Sequence, residues 1–146
     1  MRAELEAENM IKSIGHAAFF VRDMSRSLAF YQGVLGLEKA FELRKENGNQ
    51  WIEYLKVADN QFIELFYPEE GFNPQNHQED RSYGHLCLCV DDIFAVADEI
   101  KKRGGTLASE PMKGIDGNYQ CWINDPDGNA IEFMQIMPDS LQSSGK

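Results

Sequence analysis

The chain repeats itself. Gly15-His16 recurs as Gly84-His85, 69 residues further on, and at that offset Phe20-Val21 lies over Cys89-Val90 and Asp23-Met24 over Asp92-Ile93. Later, Asp59-Asn60-Gln61-Phe62-Ile63-Glu64 lies over Asp127-Gly128-Asn129-Ala130-Ile131-Glu132 at an offset of 68. A period of this length constrains the fold more than local propensity does, because each copy is one supersecondary unit that must bury its apolar face against a neighbour. Two modules are expected, 11–70 and 82–137, sharing one domain over 11–137 and joined by a polar linker, 71–81. An acidic N-terminal extension, 1–10, precedes them, with a helix over 1–8, and a frayed tail, 138–146, follows.

Each half reads strand, helix, then three strands. Ile14 to Val21 is a short run rich in aromatic and β-branched residues. Asp23 opens a helix, with Ser25 and Ser27 as alternative caps; Leu28, Phe30, Tyr31, Val34 and Leu35 give it an apolar face, and Gly36 ends it. Strands are expected over 37–43, 51–57 and 61–67, with a tight turn at Asp59-Asn60. The second half gives a strand over 86–90, a helix over 93–103 ending at Gly104, a weak strand over 106–109, and strands over 119–124 and 129–136. The last two flank Asp125-Pro126-Asp127-Gly128, a strong turn signal.

A formal net charge of −10 argues against nucleic acid or an anionic membrane as partner. No apolar run approaches the roughly 20 residues of a membrane span, and the acidic start lacks the apolar core of a secretion signal. A cytoplasmic protein acting on a small molecule is the expectation. The three cysteines, Cys87, Cys89 and Cys121, lack Cys-x-x-Cys spacing and are expected to be buried small hydrophobes. Strand alternation aims Cys87 and Cys89 at one face.

The repeat becomes chemistry at four residues. Glu64 is the one charge in Phe62-Ile63-Glu64-Leu65-Phe66, and Glu132 the one charge in Ala130-Ile131-Glu132-Phe133-Met134. An ionised carboxylate in such a strand is costly unless paired, metal-bound or near solvent. His16 and His85 each follow a glycine at a strand start, and His16 to Glu64 spans 48 residues where His85 to Glu132 spans 47. One such His or Glu signals little, but the pair repeated at matched spacing indicates a site. Two imidazoles and two carboxylates suit one divalent ion, Ni, Zn, Co, Fe or Mn, and the carboxylates neutralise its charge. His77 lies in the linker, outside the pattern, and is read as a surface residue.

With these residues in place, the sequence resembles the vicinal oxygen chelate superfamily, and within it the short bacterial glyoxalase I enzymes. The resemblance runs from about Ile11 to Met137. It is carried by Gly15-His16, Asp23 to Tyr31 leading into Val34-Leu35-Gly36-Leu37, Ile63-Glu64-Leu65, Gly84-His85 and Asp125 to Glu132. It implies an α+β fold in which two tandem βαβββ modules form a curled mixed sheet, a cup around the metal. It also implies a homodimer in which each site is often built from both chains. The ligand positions fall on His16, Glu64, His85 and Glu132. The implied reaction is isomerisation of a thiol–ketoaldehyde adduct, with a glutamate, Glu132 or its counterpart Glu64, moving a proton between adjacent carbons.

The sequence departs from the family at the thiol-binding surface. Phe20 stands where glutathione-binding members carry Arg, and Pro68 where they carry Asn. Lys113, in Pro111-Met112-Lys113-Gly114, resembles a basic loop residue able to meet a substrate anion. Rival readings within the superfamily are a metal-dependent epimerase, an Fe(II) extradiol-type dioxygenase using His, His and Glu, and a metal-free drug-binding module. Glu64 favours the lyase/isomerase over the dioxygenase, and the full quartet disfavours the metal-free module.

Overall fold

The structure, a computed structural model, describes residues 13–71 and 83–144. The expected helix over 1–8, His77 and all of linker 71–81 except Gly71 lie outside the described residues. The first module runs β1 (His16–Phe20), α1 (Met24–Leu28) continuing into a π-helical turn (Ala29–Val34), β2 (Glu38–Arg44), β3 (Gln50–Ala58) and β4 (Gln61–Phe66). The second runs β5 (Leu86–Cys89), α2 (Ile93–Lys102), β6 (Leu107–Lys113), β7 (Tyr119–Asn124) and β8 (Ala130–Gln135), followed by α3 (Leu141–Ser144). The sheets have equivalent orders, β1-β4-β3-β2 and β5-β8-β7-β6. In each the first and last strands are parallel and the other pairs antiparallel. Two tandem βαβββ modules in an α+β fold are what the repeat calls for.

Local chemistry sets the element ends. Asp23 caps α1 by accepting from the Arg26 N–H, and Asp92 caps α2 by accepting from Phe94 and Ala95. Gly36 (φ +75°) and Gly104 (φ +85°) take the left-handed conformation that lets the chain leave each helix. Asn60, at φ 59°, turns β3 into β4.

Alternation splits each sheet into two faces. Phe19, Leu55, Ile63 and Leu65 from one sheet and Cys121, Ile123, Ile131 and Phe133 from the other belong to one buried cluster. Val21, Met24, Tyr31, Ile93 and Ile100, from the loops and helices between strands, complete it. The modules also touch directly: the Tyr31 hydroxyl donates to Asp125 Oδ2 at 2.8 Å, and the Arg22 N–H donates to Asp127 Oδ1 at 3.3 Å. Edge strands β1 and β5 line a common cleft of about 370 Å³.

Four expectations change. The first helix is not one α-helix, because the chain widens into a π turn from Ala29, closed by Leu35 N–H to Phe30 C=O at 3.0 Å. That turn seats Tyr31 fully buried. The weak strand expected over 106–109 is the longer β6, and Pro111 lies inside it. An edge strand tolerates proline, and the pairing is broken between Ser109 and Met112. Of the cysteines only Cys121 is buried; Cys87 and Cys89 are exposed, because Leu86 and Leu88 take the core face of β5. The expected frayed tail instead forms α3, which docks through Leu141 N–H to Asp116 C=O at 3.0 Å.

Candidate metal centre

The faces turned away from the core carry the ionisable pairs. On the first, β1 offers His16, Ala18 and Phe20, which pair in register with Phe62, Glu64 and Phe66 of β4. His16 Nε2 lies 3.4 Å from Glu64 Oε2. On the second, His85 Nε2 lies 3.0 Å from Glu132 Oε2. Both glutamate side chains are nearly buried, 7% and 6% exposed, while both imidazoles are about half exposed. Each carboxylate is therefore fixed in the sheet, and each ring keeps an open side.

A third residue stands beside each pair. Tyr54 of β3 is the register partner of Glu64, and Trp122 of β7 that of Glu132. The Tyr54 hydroxyl hydrogen-bonds to Glu64, which, with burial, pushes its ionisation above the usual phenol range. Trp122 meets His85 edge to face, with centroids 4.8 Å apart. Sequence reasoning passed over both, yet their separation is 68 residues, the same as Glu64 to Glu132. The repeat offset would have found them.

The two pairs do not converge within one chain: among the described residues no three His, Cys, Asp or Glu side chains cluster closely enough to hold a metal. Each pair supplies one nitrogen and one oxygen donor, half of a four-donor set. The donor chemistry fits a divalent ion, provided a second half-site is brought to the first.

The remaining candidates fall in different places. Phe20 is on the His16 face, 51% exposed, its ring 4.9 Å from that of Phe66. Pro68 is exposed just beyond β4 on the same module. Lys113 ends β6 opposite Tyr119, whose ring packs on Phe94 of α2. That register position belongs to the face away from Glu132. Cys87, by contrast, pairs with Glu132 on the open face. Burial and the nearby carboxylate push its thiol up to about 12.

A model of the Glyoxalase/Bleomycin resistance protein/Dioxygenase superfamily matches residues 13–133. The chain belongs to this superfamily. Among its relatives, it is 32% identical to a probable lactoylglutathione lyase of Vibrio cholerae over 82% of this chain and 88% of that one. It is 30% identical to a lactoylglutathione lyase of Haemophilus influenzae, over 82% and 90%. Superposition on a glyoxalase I mutant from Zea mays gives a TM-score of 0.68 at 23% identity, which shows a shared fold. It covers 84% of this chain and 44% of the maize chain, so the chain spans less than half of that protein. Among the described residues of this superfamily member, no helix is long and apolar enough to cross a membrane.

Proposed function

We propose that the chain is a metal-dependent lyase or isomerase of glyoxalase I type, working as a homodimer. In this reading His16 and Glu64 of one copy and His85 and Glu132 of a second hold one divalent ion. The observation that carries it is the pair of equivalent His–Glu half-sites, at 3.4 and 3.0 Å, on open faces of a chain that does not bring them together. The lactoylglutathione lyase names of its relatives support the reaction class. A bound divalent ion would act as a Lewis acid toward the substrate oxygens.

The residues of the chain divide the remaining work unequally. Tyr54 holds Glu64 in place, whereas Glu132 has an indole at the equivalent position. Glu132 is thus freer to act as base, taking the proton from the carbon beside the carbonyl and returning it to the neighbouring carbon. Phe20 and Pro68 put no cation and no amide where an anionic thiol would be gripped. The substrate is therefore a less anionic α-oxo or α-hydroxycarbonyl compound, and the glutathione–methylglyoxal adduct is a poor one.

Mixed dimers test the site. One chain carries His16→Ala and Glu64→Gln, the other His85→Ala and Glu132→Gln, and neither should bind metal alone. Mixing them regenerates one intact site per mixed dimer. At equal mixing half the dimers are mixed, so on the order of one quarter of wild-type metal binding and turnover should return. No recovery, with wild type active and mixed dimers demonstrated, would show that each site lies within one chain.

A further inference from the structure

The two open faces share their His and Glu residues but differ in what surrounds them. On the first, Phe20, Phe41, Phe62 and Phe66 surround Glu64, together with Tyr54. Phe41 stacks on Tyr54, with centroids 4.2 Å apart and planes 19° from parallel, and Phe62 meets both rings edge-on at 6.1 Å. Phe20 and Phe41 are 51% and 44% exposed. By the repeat, the four phenylalanines correspond to Cys89, Ser109, Ala130 and Met134 on the second face. The βαβββ module and its His–Glu pair are built there without them, so neither the fold nor metal ligation requires this ring wall.

Charge on the same face points the same way. Among the described residues, register places one lysine or arginine there, Lys56, and it is paired with Asp59 at 3.0 Å beside the hairpin turn. The other basic residues of this sheet, Lys39 and Arg44, bond Glu42 and Glu53, which alternate to the opposite face. Rings without a free cation select a flat, weakly charged group by stacking and edge contacts.

We infer that this first face is an aryl-binding subsite, and that the carbonyl substrate carries an aromatic group seated against Phe20 and Phe41. This rests on the lyase/isomerase reading for the chemistry, but the subsite itself needs no metal. Two neutral probes differing in the aryl group decide it: 2-hydroxyacetophenone and hydroxyacetone. Their binding to the full chain, metal-free and metal-loaded, is followed by ligand NMR, and their turnover is measured on the loaded protein. The aryl ketone should bind about 10-fold more tightly or better, with its ring protons shifted upfield by the protein's rings. The double variant Phe20→Leu, Phe41→Leu alters two exposed side chains and should bring the two affinities to within about 2-fold.

Equal binding of the two probes, or aryl binding unchanged in the double variant, would overturn the inference. So would a double variant that becomes monomeric by sedimentation while keeping the aryl preference, since that assigns the rings to packing against the second copy. Aryl-selective binding without turnover of any carbonyl compound would uphold the subsite and refute the lyase reading. Turnover that favours the alkyl compounds would do the reverse.

Discussion

Tyr31 shows how much one side chain can carry. It is fully buried, and its hydroxyl donates to Asp125, which also accepts from the N–H groups of Asp127 and Asn129 and the Asn129 side chain. Burial first, then the Asp125 carboxylate, raise the ionisation of this phenol far above its ordinary range. The stabilisation from the neutral phenol is therefore complete below about pH 10, the unfolded value, and is lost as pH climbs from there toward the folded one. At pH 7 Tyr31→Phe should cost about 1.5–3 kcal/mol, since the lost hydrogen bond has a charged acceptor. Above pH 10 the wild type should weaken faster than the variant, so the gap narrows; urea melts of both proteins at pH 7 and 10.5 check this. The sequence marked Tyr31 as apolar helix face and Asp125 as turn chemistry, but no local pattern joins residues 94 apart. His16, Glu64, His85 and Glu132 were legible because each appears twice. Cys87 and Cys89 were misread because a short apolar strand does not disclose which of its faces lacks a cover.

Elements were legible where their ends are written in side-chain chemistry. Asp23 and Asp92 each sit one residue before a helix, and each begins it with a side-chain acceptor. Asp92 serves two N–H groups, at 3.1 and 3.0 Å, and Asp23 serves one, at 3.1 Å. Replacing either with Ala should cost about 1 kcal/mol, with Asp92→Ala the larger loss, as measured by thermal or urea unfolding. Equal, negligible losses would mean that tertiary packing alone holds these helix ends. The π turn was hidden because its residues have the same apolar periodicity as an α-helix; only the burial of Tyr31 against the other module distinguishes them. The length of β6 was hidden by Pro111, a strand breaker in the middle of a sheet but tolerated on an edge. Which strand is the edge is a property of topology, and local sequence does not state it.

At the scale of the whole molecule, the repeat disclosed two modules and their contents but left open whether their half-sites meet in one chain. The structure answers for the single chain: one core joins the modules, and the His–Glu pairs point onto separate open faces. If a second copy completes each site, metal binding and dimerisation must be thermodynamically linked. An ion that binds only the assembled site stabilises it by about 2.7 kcal/mol at a free concentration 100-fold above its dissociation constant. That stabilisation acts on the association equilibrium as well as on folding, because half of the donors belong to each copy. The melting temperature of protein loaded with Ni, Zn, Co, Fe or Mn should therefore rise with protein concentration and fall on chelation. Chelation should also weaken the dimer measured by sedimentation velocity. Glu64→Gln and Glu132→Gln should each lessen the metal-dependent rise while leaving the chelated protein's melting temperature nearly unchanged, since each removes a charge from a ligand and little packing volume. A metal-dependent rise that is independent of protein concentration, in a chain that stays monomeric, would place the complete donor set within one copy and require the modules to close on each other.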